Sequence, residues 1–423
     1  MTANLDVMLW GHKVGTLVGY RDRYAEKFCF YFDKGFKSHA LDIAPLQASL
    51  DGPLAAGTLP VYPEEDKIYG GLPSFIADSL PDHWGNRVFA EWARLHNIKK
   101  HDLSSLDRLA YIGSRGMGAL EFVPPTAKEM DTPFKVEIEE LHRLAAEALR
   151  IANDFKGALH PDLAVESLFR VGTSAGGRRP KALINLNHET GECYSGQVPS
   201  PVPGFEPMII KFDEHIDAPT TRIEYSYYLM AQEAGLNMMP SMLLSGERET
   251  HFLTRRFDRR DGHKVHIQTL AAMNPLADSY ESLFGTAQRI GIPPGEISSL
   301  LRQMVMNVIT GNIDDHNKNF SFLMDRDGVW HVAPAYDYTF TVDPSAPHYI
   351  NRHSLTVNGK SDNITRADII EAARSHDIRN IGSIIDSCVE TAKEYRNFAR
   401  EAGVGEKWTQ VIMDEIQTRI TLL

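Results

Sequence analysis

Residues Asn312-Ile313-Asp314-Asp315-His316-Asn317-Lys318-Asn319 are followed, eighteen residues after Asn319, by Asp337 in Ala335-Tyr336-Asp337. Between them the chain reads as a β-hairpin: apolar Phe320 to Met324, the turn Asp325-Arg326-Asp327-Gly328, then Val329 to Ala333. A hairpin folds the chain back on itself, so it returns Asp337 towards the loop that carries Asp314 and Asn319. That loop then offers a carboxylate five residues ahead of a carboxamide, with a second carboxylate brought to them. Such a donor set suits a reaction that needs one general base and oxygen ligands for a hard divalent cation. Asp and Asn are also common in turns, and a polar loop between a helix and a hairpin would use the same residues.

The 423-residue chain is long enough for two domains or one large two-lobed unit. Its formal net charge of −12 argues against broad nonspecific attraction to nucleic acid or anionic membrane. A local basic patch, or contact through a basic partner, stays open. Three cysteines, Cys29, Cys193 and Cys388, are widely spaced without a C-x-x-C pattern, as expected of reduced structural thiols in a cytosolic protein. The start Met1-Thr2-Ala3-Asn4-Leu5-Asp6 lacks a basic region followed by an apolar core, and no run reaches membrane-spanning length, so the expected location is cytoplasmic with no membrane contact.

Hydrophobic periodicity organises the rest. Val7 to Trp10, Val14 to Tyr20 and Lys27 to Asp33 read as strands, with Gly11-His12-Lys13 as a hairpin turn. Leu72 to Asn97 reads as helix, with Trp84, Val88, Phe89 and Trp92 at spacings of three and four. Leu106 to Val123 passes from helix to strand and closes at Pro124-Pro125, and Val136 to Phe155 is an amphipathic helix. Lys181 to Leu186 and Met208 to Phe212 read as strands, joined by a Gly-, Pro- and Ser-rich connection too long for a tight turn. Beyond Thr221 the chain is largely helical, interrupted by strands at Ser241 to Leu244 and His251 to Arg255 and by the hairpin. The expected class is α+β, a two-lobed protein-kinase-like fold with a strand-rich N-terminal subdomain (1–125), a nucleotide-binding lobe (126–260) and a mainly helical catalytic lobe (261–423).

Asp314 and Asn319 stand at the D-x-x-x-x-N spacing of a protein-kinase catalytic loop, in which the Asp accepts the proton of the attacking hydroxyl and the Asn holds magnesium. Phosphoryl transfer also calls for a flexible loop over the nucleotide phosphates. Val171-Gly172-Thr173-Ser174-Ala175-Gly176-Gly177-Arg178-Arg179-Pro180-Lys181 offers one directly before a strand, with glycines that let N–H groups approach phosphate and three cations beside them. It is not a G-x-x-x-x-G-K-[ST] loop, and a plain glycine-rich surface loop would look the same. Lys211 ends the apolar strand Pro207-Met208-Ile209-Ile210, where kinases put the lysine that grips the α- and β-phosphates; an amine there can also snorkel to water. Glu224 opens the next helix and could pair with Lys211 or simply answer the helix dipole. Glycine loop, strand lysine, helix, a hinge strand at His251 to Phe257, base, hairpin and second Asp follow in kinase order, and point to a phosphotransferase using ATP and Mg2+.

These residues resemble the HipA family of bacterial serine/threonine kinases, the toxin halves of type II toxin–antitoxin pairs. Trp10-Gly11-His12-Lys13-Val14-Gly15 and Gly71-Leu72-Pro73-Ser74-Phe75 to Ser79-Leu80-Pro81-Asp82 are similar to its N-terminal subdomain. Ser174-Ala175-Gly176-Gly177 through Lys181, Phe257-Asp258-Arg259, Asp314-x-His316-x-Lys318-Asn319 and Ala335-Tyr336-Asp337 are similar to its kinase core. The resemblance implies Asp314 as catalytic base and Asn319 and Asp337 as magnesium ligands. It implies nucleotide contacts from Gly176, Gly177, Arg178, Arg179, Lys181 and Lys211, an adenine hinge at Arg255, Arg256 and Phe257, and His316 and Lys318 near the γ-phosphate. Ser174 falls on the serine that such kinases autophosphorylate. The implied partners are a small helix-turn-helix, HipB-like antitoxin, DNA mainly through that antitoxin, and a protein substrate such as an aminoacyl-tRNA synthetase. Two positions depart from the family pattern: Arg255 stands where the hinge often has a glutamate, and Asp315 adds a carboxylate expected to face water or pair with a cation.

Three other readings stay open on the residues: a small-molecule phosphotransferase, a non-catalytic pseudokinase corepressor, and metal-dependent hydrolysis through Asp314, Asp315 and His316. Asp82-His83-Trp84, His251, His266 and Trp330 read as structural.

Overall fold

A computed structural model of the chain describes all residues except 1–3, 22–25, 64–68, 82, 96–103, 127–130, 154–178, 201, 215–216 and 247–248. The chain folds into two compact units. The first comprises Met1–Glu214, Leu253–Ile267 and Asp325–Gly328, the second His215–Phe252, Gln268–Met324 and Val329–Leu423.

The first unit opens with strands β1 (Asn4–Leu9) and β2 (His12–Arg21), joined by Trp10 and Gly11, both at positive φ (50° and 85°). Two left-handed residues match the twist of the paired strands, which is why this short connection closes a hairpin. Strand β3 (Glu26–Phe32) and the later β4 (Leu120–Val123) complete an antiparallel sheet of order β3-β2-β1-β4. Alternation buries Leu5, Val7 and Leu9 on one face. Phe30 and Phe75 meet edge to face under the sheet at 5.5 Å. The helical stretch expected as one piece from Leu72 is split at Pro81 into a single turn, Ser74–Ala77, and helix α1 (His83–Leu95), because proline has no N–H to donate and bars the α conformation at the residue before it. Helix α2 (Ser105–Ile112) starts at a capping box in which Ser104 and Asp107 satisfy each other's N–H groups. Helix α3 (Ile138–Asn153) buries Leu141, Leu144 and Ala145 on one stripe.

A six-stranded sheet includes, in this order of neighbours, β5 (Lys135–Val136), β7 (Cys193–Ser195), β6 (Lys181–Leu186) and β8 (Glu206–Lys211), followed by β10 (Thr250–Arg255) and β9 (Ser241–Ser245). The long connection before β8 therefore contains a strand, β7, not foreseen from the sequence. All six residues of β6 are buried, as befits a central strand. The three cysteines are free and buried, and burial pushes the Cys193 and Cys388 thiols up to about 11. They are structural, as expected.

The second unit is built around an apolar helix. Helices α4 (Thr220–Glu233) and α5 (Tyr280–Arg289) precede α6 (Pro294–Thr310), which starts on a proline at its first position and buries every residue from Gln303 to Thr310. A helix apolar on all sides belongs inside a bundle. Here α8 (Ile381–Lys393) and α10 (Glu406–Ile420) pack on α6, with α7 (Arg366–Arg374) and α9 (Tyr395–Glu401) around them. The expected hairpin forms as β14 (Ser321–Met324) and β15 (Trp330–Val332), with Gly328 donating to the Asp325 carbonyl in its turn and Trp330 in the core. The short strands β9 (Ser241–Ser245), β10 (Thr250–Arg255), β11 (Arg259–Arg260), β12 (His263–Lys264) and β13 (His266–Thr269) lie between α4 and this hairpin in sequence. The mixed α+β class expected from the sequence is what the chain adopts, strand-rich in one unit and mainly helical in the other. Among the described residues no helix is long and apolar enough to cross a membrane.

Candidate active site

Helix α6 ends at Gly311, whose left-handed φ of 69° lets its N–H bond to the Asn307 carbonyl. A β-carbon there would lie 3.0 Å from Val342 and 3.3 Å from Phe340, so conformation and space both favour glycine. The chain then turns into the loop 312–319. Thr341 Oγ1 accepts the N–H groups of Ile313 (2.7 Å) and Asp314 (3.1 Å) and so fixes the backbone on which the Asp314 side chain is carried. The Asp314 carboxylate is 61 % exposed, with His316 Nε2 at 3.8 Å. Asn319 closes the loop: its N–H donates to the His316 carbonyl (2.8 Å) and its Nδ2 to the Asp314 carbonyl (2.7 Å). With Nδ2 so engaged, the other end of the carboxamide, Oδ1, is the end left to act as an oxygen ligand. His316 is half-buried and its Nδ1 accepts the N–H of Lys318, which is exposed.

Asp337 arrives by the hairpin. Tyr336 OH donates to the Lys318 carbonyl (2.7 Å) and accepts from Ser321 (2.6 Å), which draws the end of the hairpin against the loop. On the other side of Asp337, the buried Tyr338 OH bonds Thr310 Oγ1 (2.9 Å) in the last turn of α6. Asp337 itself sits at φ +50°, a left-handed conformation rare outside glycine, asparagine and aspartate. Backbone of this kind costs about 1–3 kcal/mol and persists where neighbours enforce it, here two anchored tyrosines. No local pattern marks Tyr336, Tyr338 or Thr341 for these roles, although Tyr336 lies within Ala335-Tyr336-Asp337.

Asp315 departs from expectation. It neither faces water nor offers itself to solvent cations. Its side chain is 0 % exposed and accepts from Tyr280 OH (2.6 Å), His353 Nδ1 (2.8 Å) and the Ser354 N–H (2.8 Å). Burial and the adjacent Asp315 carboxylate push the Tyr280 phenol well above its ordinary range, so it remains a donor. A hydrolytic centre made of Asp314, Asp315 and His316 is thereby excluded, since one of its carboxylates is sealed in the core.

The expected nucleotide residues of the first unit divide. Ser174, Gly176, Gly177 and Arg178 lie outside the described residues. Lys181 and Lys211 are directly opposed on the antiparallel strands β6 and β8 and both are buried. Opposed residues point to the same face, so two cations share one level of one sheet face. Trp84 Nε1, fully buried, donates to the Lys181 carbonyl at 2.8 Å and steadies that strand end. Arg179 stands 3.7 Å from Glu214, and Arg255 3.1 Å from Glu206.

Arg256 is committed elsewhere. Its guanidinium grips Asp258 with two bonds of 2.9 Å and bonds the Gly196 carbonyl, and its N–H goes to the Pro207 carbonyl. Only its carbonyl is left for a hinge contact, and its side chain is a strut. Asp258, 0 % exposed, also accepts from Arg259 Nη1 (2.7 Å) and the Gly118 N–H (2.9 Å). Burial alone would raise its carboxyl; Arg256 and Arg259 outweigh that and hold it well below the usual carboxylate range. Phe257, between the two charged residues, is half-buried. Glu224 is buried on α4 rather than exposed at a helix start.

The donors in the second unit suit magnesium. That ion takes one or two carboxylates and completes its octahedron with phosphate and water, rather than a protein cage. Among the described residues no group of three or more His, Cys, Asp or Glu could form such a cage, and an Asn oxygen plus one Asp is the spare set that phosphate-bridged magnesium uses.

Residues 5–123 match the HipA N-terminal domain family and residues 173–421 the HipA-like C-terminal domain family. A putative kinase Y4mE of Sinorhizobium fredii is 25 % identical over 347 residues, covering 78 % of this chain and 73 % of that protein. Among solved structures, HipA of Shewanella oneidensis, in its complex with HipB and operator DNA, aligns over 98 % of this chain and 96 % of its own, with a TM-score of 0.64 at 16 % identity. The proinflammatory kinase CtkA of Helicobacter pylori aligns over 53 % of this chain and 90 % of its own, with a TM-score of 0.36 at 14 % identity. The C-terminal match alone spans more than half of the chain and contains the loop, the hairpin and Asp337, and the chain belongs to the HipA family.

Proposed function

We propose that the protein is an ATP- and magnesium-dependent serine/threonine-protein kinase that arrests growth by phosphorylating a translation component, with an aminoacyl-tRNA synthetase the substrate class implied, and that it autophosphorylates at Ser174. The carrying observation is the loop 312–319: an exposed carboxylate on a backbone fixed by Thr341 and Asn319, with Asp337 held by its flanking tyrosines. Asp314 accepts the proton of the attacking hydroxyl, which it can do because its oxygens stand in solvent reach. Asn319 Oδ1 and Asp337 are the residues that would hold magnesium, whose chemistry when bound is to neutralise charge on the transferring phosphate. In the first unit, Lys181 and Lys211 supply paired positive charge for nucleotide phosphates. The relative in Sinorhizobium fredii, described as a putative kinase, supports the same reading.

The Shewanella HipA is found with HipB and operator DNA. A HipB-like helix-turn-helix antitoxin is therefore the partner we propose, with DNA reached mainly through it. The net charge of −12 agrees, because phosphate-backbone affinity is supplied by Lys and Arg in excess.

The test is incubation of the purified protein with Mg-ATP beside Asp314→Asn. Loss of a positioned base lowers phosphoryl transfer by about 10²–10⁴-fold. The melting curve should not move, since the side chain is exposed. Peptide mass spectrometry should place phosphate on Ser174. Full activity in Asp314→Asn would remove the base assignment, and phosphate on Thr173 instead would remove the regulatory serine.

A further inference from the structure

Asp315 has a second set of neighbours whose direction can be read. Arginine has donors only, and Arg419 Nη1 lies 3.1 Å from His353 Nε2. Nε2 therefore accepts, the ring proton sits on Nδ1, and it is donated to Asp315 Oδ2 at 2.8 Å. Arg419 lies near the end of α10 and is itself oriented by Glu415 (2.7 Å) and by the Val308 carbonyl on α6 (3.2 Å). From the other side, Asn312 Nδ2 donates to Asn307 Oδ1 (2.9 Å), Asn307 Nδ2 to Tyr280 OH (2.9 Å), and Tyr280 OH to Asp315 (2.6 Å). Two directed chains of donors, one from α6 through α5 and one from α10, end on a single carboxylate.

We propose that Asp315 is the positioning carboxylate of the catalytic loop and that helix α10 sets the loop through Arg419 and His353. This rests on the reading of Asp314 as base. Asp315 cannot touch substrate, because it has no exposed surface. What it does is hold the backbone next to Asp314 by three bonds from two segments, Tyr280 on α5 and His353-Ser354, while the Ser354 N–H is shared with the Ile313 carbonyl at 3.1 Å. One carboxylate locked inward leaves its neighbour directed outward. The device ties the last helix of the chain to a residue one step from the chemistry.

The experiment compares the full chain with Asp315→Asn, Arg419→Met, Arg419→Lys and Tyr280→Phe, and with Arg396→Ala as a control. The control breaks an exposed pair with Glu406 at the opposite end of α10. Tyr280→Phe is the mildest change, because the ring keeps its edge contact with Phe320 at 5.6 Å. Two readouts are taken: Mg-ATP turnover resolved into kcat and KM, and hydrogen exchange followed by mass spectrometry. A loop displaced by an ångström lowers kcat by about 10²-fold, so we expect a fall of roughly 10- to 100-fold in Asp315→Asn and Arg419→Met with KM for ATP unchanged. Arg419→Lys, which can still donate to His353, should recover part of the loss. Exchange should quicken in peptides covering 311–320 and 351–356 and nowhere else, and the control should match the wild type.

Unchanged exchange in 311–320 would overturn the proposal. So would loosening spread over the whole second unit, or unchanged kcat in all variants of an active enzyme. A wild type without Mg-dependent turnover would instead overturn the kinase reading, while the exchange comparison still judges whether Arg419 and Asp315 hold the loop.

Discussion

Replacing Asp258 tests the frame on which the first unit's strand ends are hung. The carboxylate is 0 % exposed and receives four donors: Arg256 Nε and Nη2, Arg259 Nη1 and the Gly118 N–H, at 2.7 to 2.9 Å. Gly118, at φ +71° with Ile267 Cγ2 2.6 Å from where a β-carbon would be, can approach only as glycine. Asp258→Ala leaves two guanidinium groups buried, Arg256 at 1 % and Arg259 at 6 % exposure, without their counter-charge. Burial already lowers Arg259 to about 10 despite its partner, so little remains to absorb the loss. Removing one member of a buried ion pair costs about 3–5 kcal/mol. For a unit of this size that is a fall of roughly 6–20 °C in Tm. Asp258→Asn, which keeps the shape and one acceptor but not the charge, should fall between.

The sign with pH is fixed by the same geometry. The native carboxyl is depressed below its unfolded value of about 3.9, so its contribution is complete above that pH and is lost as pH falls through the native value. Urea denaturation from pH 7 to pH 2, on wild type and Asp258→Ala, should show two curves that converge on acidification. A variant within 1 kcal/mol of wild type at pH 7, or a gap that does not narrow on acidification, would refute the inference that this carboxylate holds the cluster.

Asp337→Ala should weaken Mg-ATP binding more than Asp314→Asn does, since only the former removes a proposed cation ligand; equal affinities by calorimetric titration in magnesium would remove that role. Gly311→Ala should cost roughly 1–3 kcal/mol and slow turnover, because its φ of 69° and the 3.0 Å approach of Val342 both oppose a β-carbon. Lys264, bonded to the Ser114 carbonyl and to Glu121, is lowered by burial to about 8 from 10.5. The folded protein therefore disfavours its cation, and wild type should gain stability relative to Lys264→Met as pH rises from about 8 to 10.5, by a few kcal/mol at most. Urea midpoints at the two pH values check the sign.

What the sequence disclosed was what is local. The turn Asp325-Arg326-Asp327-Gly328 announces its hairpin because glycine meets the left-handed position, and β14 and β15 lie within the apolar runs Phe320 to Met324 and Val329 to Ala333. The D-x-x-x-x-N spacing holds because Asn319 closes a loop onto the Asp314 carbonyl, a contact five residues long. The three-residue β7 escaped notice because Cys193-Tyr194-Ser195 is too short for any period to show. The family resemblance places Arg256 at the nucleotide through its position in the hinge. Asp258, two residues on, was in plain view, but pairing at that separation follows only once the chain bends at Phe257 and both side chains turn inward.

The three aspartates at 258, 314 and 315 show why residue type alone could not sort base from strut. A carboxylate has about four lone-pair sites, and each hydrogen bond it accepts removes one and favours the charged form. Asp258 takes four donors and Asp315 three, so neither has both a free lone pair and a route to solvent. Asp314 keeps its oxygens in water, with His316 no closer than 3.8 Å, as the proposed base must. The donors that disqualify Asp315 come from Tyr280, His353 and Ser354, 35 to 39 residues away, where no spacing rule reaches. Of two adjacent aspartates, then, the fold leaves one open to solvent and seals the other in the core, which is what the proposed division of roles requires.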